Sequence, residues 1–249
     1  MEIVADNAAV PEKVQWRGLE SIRLPPMSPR LGRNLLARTL AEAWQDGMEL
    51  GRMAALAWRP GAAVALSNAA GAALAVRQGY PPDLQLEDFD SDVIVGTIGN
   101  VAHDRGDDPR EPILRSELDE MADEYLAMIK KATALGDDPA ATKFLQQSRR
   151  RIEQAISMIV RAPLFGRSLW EEWALLKEPD YSMVAALAEH YADFKRDYDV
   201  VDVADILAAH VRPCEDCALA VIDQAAIIPP LGFTTLRRML PRATFVLNT

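Results

Sequence analysis

The stretch Leu219-Ala-Val-Ile-Asp-Gln-Ala-Ala-Ile-Ile-Pro-Pro-Leu-Gly-Phe-Thr-Thr-Leu-Arg-Arg-Met-Leu240 decides the fold. Its first four residues are an apolar run of strand length that stops on an acid, Asp223. A short, wholly apolar run bounded by turn residues reads as a strand buried on both faces. Downstream, Ala243 to Leu247 reads as a last strand. Upstream lies a stretch of different texture, from Asp107-Asp108-Pro109 to about Lys177, where Glu117, Met121, Tyr125 and Met128 give one helical period and Phe144, Ile152, Ile156 and Ile159 another. Arg149, Arg150 and Arg151 in this block have acids nearby and read as a solvated helix face. Further upstream, Gly18 to Leu24 is a β-like run ending in Pro25-Pro26. A helix is expected from about Leu31 to Asp46, with Leu35, Leu36, Leu40 and Trp44 on one side. Met53 to Trp58 reads as a strand, Arg59-Pro60-Gly61 as a break, Gly61 to Val76 as an Ala-rich helix and Asp92 to Ile98 as another buried strand. Strand, helix, strand, strand, helical block and two more strands point to an α/β protein with a parallel sheet and a helical insertion.

Composition sets the frame for function. Of 249 residues, 49% are hydrophobic and 26% charged, as in ordinary globular chains. The sequence shows no signal segment and no apolar run long enough to span a bilayer, which predicts a cytoplasmic protein without membrane contact. The formal net charge is -10, which argues against tight non-specific nucleic-acid binding by the chain alone, although Arg237, Arg238 and Arg242 form a local basic cluster. Two cysteines, Cys214 and Cys217, form a single CxxC. A zinc site needs two further ligands, and His210 is the one nearby candidate, so the pair reads as reduced thiols at a turn before a strand. His103 has no evident partner and reads as a surface or helix-end residue.

Five segments in order resemble the motor domain of UvrD/Rep/PcrA-like superfamily 1 DNA helicases. Residues 219–240 are similar to that family's Walker B strand with D-E-A-Q-D and its following helix. Tyr191-Ala-Asp-Phe-Lys and Val201-Asp-Val-Ala-Asp-Ile-Leu resemble its "Y…k" helix and D-F-x-D-L-L motif. Val95-Gly-Thr-Ile-Gly-Asn-Val-Ala-His resembles G-T-I-H-S-L-A, and Leu56-Ala-Trp-Arg-Pro-Gly-Ala-Ala resembles L-T-F-T-N-K-A-A. Residues 22–40 stand where the family has its P-loop. The resemblance implies a RecA-like parallel sheet made of residues 1–107 and 178–249, with residues 108–177 as the inserted helical subdomain. It also implies that the second RecA-like domain, with its arginine fingers, is absent. It places Trp58, Arg59, Thr97 and Asn100 along single-stranded DNA, with Trp58 able to stack a base or, alternatively, to pack as core.

The departures from the family pattern fall on one site. At the P-loop position, Gly32 is the one glycine kept, Met27 stands at the first-glycine position, and Pro25, Pro26 and Pro29 have no N–H to donate. Arg33 replaces the lysine and Asn34 the Mg²⁺-binding hydroxyl. Asp223 keeps the metal-linked aspartate, but Gln224 replaces the catalytic glutamate, and a neutral amide is a poor base. The expectation is a non-hydrolysing pseudo-helicase with no cofactor of its own, which binds single-stranded DNA or a protein partner from helicase, repair or replication machinery. One alternative is a split helicase subunit that takes ATP and Mg²⁺ when a partner chain completes the site. A more remote one is an all-helical thiol oxidoreductase using Cys214 and Cys217.

Overall fold

The computed structural model describes residues 11–16, 19–90, 92–134 and 139–249; the side chains of Leu19 and Glu20 are outside that description. Gly18 of the expected first strand, and residues 135–138 of the expected helical block, also lie outside the described residues. The chain divides into two compact units, Met1–Arg105 with Val211–Ile228 and Gly232–Thr249, and Gly106–His210 with Pro229–Leu231.

In chain order the elements are β1 (Glu12–Trp16), β2 (Leu19–Arg23), α1 (Pro29–Gln45), β3 (Met53–Ala57), α2 (Pro60–Gln78), β4 (Ile94–Thr97) and α3 (Ile98–Asp104). The second unit follows with β5 (Glu111–Pro112), α4 (Arg115–Thr133), α5 (Pro139–Leu164), α6 (Leu169–Leu176), α7 (Tyr181–Asp197), β6 (Val200–Val201) and α8 (Val203–Ala208). The chain then returns through β7 (Leu219–Asp223), α9 (Pro230–Met239) and β8 (Thr244–Leu247).

The first unit is an α/β structure with a six-stranded sheet in the order β1-β2-β8-β7-β3-β4. All pairs are parallel except β1 with β2. Every residue of β3 and β7 is buried, as a central parallel strand covered on both faces requires. On one face, Met53, Ala55, Val221 and Val246 pack with Leu36 and Leu40 of α1 and Leu66 and Leu74 of α2. On the other, Phe233 of α9 meets Trp16 at a ring-centroid distance of 4.7 Å, and Trp16 meets Phe245 at 6.1 Å. Small residues make close layers possible. At Gly71 of α2 a Cβ would lie 2.1 Å from the Leu84 carbonyl oxygen, so the Ala-rich helix can touch that backbone only where a side chain is missing. Strand β1 was not expected. Its sequence, Glu-Lys-Val-Gln-Trp, is mostly polar because it is an edge strand, and edge strands lack the apolar run that marks β3 and β7.

The second unit is helical, with the two-stranded β5-β6 pair. Its core joins Met121 of α4 and Ile152 and Ile156 of α5 to Val184, Leu187, Tyr191 and Phe194 of α7. The unit therefore runs to His210, not to 177 as the sequence suggested: the apolar stripe of α7 belongs to this core, so residues 178–210 fall with it. In the arginine run, Arg149 is half-buried and paired with Asp119, Asp123 and Glu153, while Arg150 and Arg151 are exposed. Among the described residues, no helix is long and apolar enough to cross a membrane.

Candidate functional site

The carboxyl ends of the parallel strands bring most of the sequence candidates to one edge of the first unit. Register sets them in a row: Thr97 lies opposite Ala57, Ala57 opposite Asp223, and Ile222 opposite Leu247, the residue before Asn248. In open α/β sheets this edge is where ligands bind.

Asp223 is the centre of the row and is completely buried. A carboxylate in that position is costly unless its oxygens are matched, and here they are. The Arg33 guanidinium donates through Nε to Oδ2 at 3.0 Å, and the Asn248 amide donates to Oδ1 at 2.6 Å. The Gln224 backbone N–H donates to the same Oδ1 at 3.0 Å. The Arg33 side chain is 20% exposed, so most of the pair is shielded from water. Arg33 reaches Asp223 because α1 starts close to the strand ends. Ser28 caps it, its hydroxyl accepting from the Leu31 N–H at 3.3 Å, and Pro29 occupies the first turn. Gly32 is needed for a reason other than phosphate contact: a Cβ there would lie 2.1 Å from Asn248 Oδ1. Asn34 is exposed on α1 and makes no hydrogen bond to the cluster. Gln224 holds a left-handed backbone at φ 60, ψ 39, which turns the chain sharply after β7. Its Oε1 is buried with no hydrogen-bond partner among the described residues.

Groups that a nucleotide with Mg²⁺ would use are engaged within the chain: both oxygens of Asp223 accept hydrogen bonds, Pro29 has no N–H, and the N–H groups of Leu31 and Gly32 bond Ser28, the second to its carbonyl at 3.0 Å. Among the described residues, no group of three or more His, Cys, Asp and Glu side chains is arranged to hold a metal ion.

The remaining candidates flank this clasp. Trp58 and Arg59 leave the end of β3; Trp58 is half-buried and Arg59 is exposed just before α2. Thr97 is buried and caps α3, its hydroxyl accepting from the Asn100 N–H at 3.1 Å. Asn100 is exposed one turn on. His103 falls in the last turn of α3.

Sequence reasoning missed Asn248. It follows β8 directly, its N–H continues the ladder to the Ile222 carbonyl at 2.9 Å, and its carbonyl accepts from Ala225 at 2.9 Å. Its position after a strand is legible, but its pairing with Asp223 depends on strand order.

The second unit has its own buried acid. Asp202 caps α8, accepting from the N–H groups of Ala204 at 2.8 Å and Asp205 at 3.0 Å. Tyr191 donates to it at 3.0 Å and Lys195 at 2.9 Å, and Lys195 also reaches Asp205 at 2.5 Å. Burial and the neighbouring Asp202 push the Tyr191 phenol well above its ordinary range. Burial works against the Lys195 ammonium, yet the two carboxylates outweigh it and its pKa is raised.

Cys214 and Cys217 are free thiols. Cys217 is fully buried, and burial, then the adjacent Cys214, push its thiol up to about 12. That is the reverse of a reactive cysteine, and a six-stranded sheet excludes the all-helical oxidoreductase.

Comparison with protein-family models and with curated proteins gives no match to this chain.

Proposed function

We propose that the chain is a helicase-related P-loop-type domain of the UvrD-like kind that has given up ATP hydrolysis and acts by binding DNA or a protein partner. The Arg33–Asp223 contact at 3.0 Å carries this reading. A guanidinium on the carboxylate that closes β7 supplies from within the chain the positive charge a nucleotide-bound cation would bring. Arginine also stays protonated throughout the working pH range, so the occupant does not leave by titration. Gln224, next to it, offers an amide rather than a base. The six-stranded, mostly parallel sheet with its candidates along one edge is compatible with a RecA-like core.

The test is an ATP-hydrolysis assay of the purified chain with Mg²⁺, with and without single-stranded DNA. Turnover at background is the expected result. Sustained metal-dependent hydrolysis that Asp223→Ala abolishes contradicts the proposal. For the nucleic-acid half, labelled oligonucleotide is titrated at several salt concentrations beside Trp58→Ala, where loss of one stacked base weakens binding by about 1–3 kcal/mol.

A further inference from the structure

The second unit holds a cleft of its own between α5 and α6, with a volume of about 260 Å³ and a mouth open to solvent. Gln154, Ser157, Met158 and Arg161 line it from α5, at the i, i+3, i+4 and i+7 spacing that sets four residues on one helix face. Glu172 and Leu176, one turn apart on α6, line it from the other side, and Glu178 does so from the segment after α6.

Glu172 is 2% exposed and is held by two guanidiniums, Arg161 through Nε at 3.0 Å from Oε1 and Arg167 through Nη1 at 2.7 Å from Oε2. Both arginines also lie over the Phe165 ring, with Cζ at 4.9 and 5.2 Å from its centroid. Arg161 is thereby fixed at the cleft while its side chain stays 55% exposed. A guanidinium has five N–H groups, more than one carboxylate oxygen takes, so Arg161 keeps donors for a second carboxylate. Glu178 is exposed, lines the same cleft and has no ion pair among the described residues. The four charges, Arg161 and Arg167 against Glu172 and Glu178, sum to zero. The exposed charges close by in sequence cancel as well: Arg150, Arg151 and Lys177 against Glu153, Glu171 and Asp180.

We propose that this cleft binds a free α-amino acid with an apolar side chain, its carboxylate on Arg161 and its ammonium on Glu178. The balance of charge selects the ligand class. An anion alone meets Glu178, a cation alone meets Arg161, and an apolar molecule takes both groups out of water without matching either. A zwitterion satisfies the two together, and charges placed to oppose each other fix its orientation. Met158 and Leu176 supply the apolar contact for a side chain, and the Ser157 hydroxyl and Gln154 amide supply further hydrogen-bonding groups. The volume falls just below the range of drug-sized pockets, about 300–1,000 Å³, and suits a single amino acid. The site belongs to the second unit and does not depend on the helicase-related reading.

The experiment titrates the full chain, labelled with ¹⁵N, by two-dimensional NMR with three probes: L-leucine, L-leucinamide, which lacks the carboxylate, and N-acetyl-L-leucine, which lacks the ammonium. L-leucine is expected to shift resonances of α5 and α6 saturably and to bind at least about tenfold more tightly than either of the others. Glu178→Gln, at an exposed and unpaired position, should weaken L-leucine about tenfold yet leave N-acetyl-L-leucine unchanged. Arg161→Gln should weaken L-leucine by a similar factor. Arg167→Gln loosens Glu172 from the side away from the cleft and should alter binding less than about threefold, because a charge outside the contact is screened. Circular dichroism confirms that each variant is folded. Equal binding of the three probes, no saturation by about 10 mM L-leucine, or indifference to Glu178→Gln overturns the proposal. Equal losses in Arg161→Gln and Arg167→Gln also overturn it, since they reduce Arg161 to a support for Glu172. Each of these outcomes leaves the non-hydrolysing reading standing, and ATP turnover overturns that reading instead.

Discussion

Each unit buries one aspartate beside a basic residue, and the two solutions differ in reach. Asp202 is satisfied locally: Tyr191, Lys195, Ala204 and Asp205 all lie within 11 positions of it along α7 and α8. Asp223 is satisfied at long range, by Arg33 across 190 residues of sequence and by Asn248 across 25. A helix cap can form as soon as its own turn forms. Beyond the local bond from the Gln224 N–H, the Asp223 clasp needs β2, β7 and β8 in order before Arg33 and Asn248 can reach it, so it ties the sheet, α1 and the chain after β8 into one cooperative set. Each cluster has one cation among its donors, Lys195 beside Tyr191 and two backbone N–H groups on Asp202, and Arg33 beside Asn248 and the Gln224 N–H on Asp223; the difference is that the charge on Asp202 comes from the neighbouring helix and the charge on Asp223 from a distant one.

That contrast is broken most severely at Arg33. Arg33→Ala leaves a fully buried carboxylate without a positive partner, and urea denaturation should show a loss of about 3 kcal/mol. A loss as small as that of an exposed arginine would mean that water or another cation satisfies Asp223. Next in size is Asp202→Ala, which removes the α8 cap and strands the Tyr191 hydroxyl, at a cost of about 2 kcal/mol by the same measurement. If it proves as costly as Arg33→Ala, a charge from the neighbouring helix offers no protection and the contrast fails. Gly32→Ala should cost about 1 kcal/mol, because the Asn248 amide must swing off Asp223 to admit the methyl group. A second substitution, Asn248→Ala, should absorb most of that penalty; additive losses would show that the clash lies elsewhere.

The smallest effect is a pH dependence confined to the second unit. Tyr191 and Lys195 both have raised pKa values in the folded chain. Such groups hold their protons more tightly when folded, so their contribution is complete below their ordinary values of 10.0 and 10.5 and is lost as pH rises above them. Thermal midpoints followed from neutral to strongly alkaline pH should fall more steeply in the parent than in Tyr191→Phe. Parallel curves would remove the phenol from the account.

The same local-versus-distant distinction explains what the sequence could show. The buried strands β3 and β7 were readable because a central parallel strand must be apolar throughout. The start of α1 carried its own signals in Ser28 and Pro29. The nearness of Arg33 and Asp223 was inferred through the order of motifs rather than from any local pattern, and the structure places them in contact. Asn248 escaped notice because a polar residue after a last strand resembles any chain end until β8 is inserted between β2 and β7. Structural roles of Gly32 and Thr97 were illegible for a related reason: Gly32 makes room for Asn248, and Thr97 caps α3. Strand β1 and the true extent of the helical unit were hidden by polarity in one case and by a boundary without a composition change in the other.

A double-mutant cycle between Arg33 and Asp223 tests the central claim most directly. Unfolding free energies of Arg33→Ala, Asp223→Ala and the double variant are measured in urea against the parent. An internal guanidinium that serves as the counter-charge of Asp223 predicts a coupling of about 2 kcal/mol, with the double variant less damaged than the sum of the single ones. Losses that add to within about 0.5 kcal/mol would contradict it, and would mean that Asp223 faces a site its own chain does not fill.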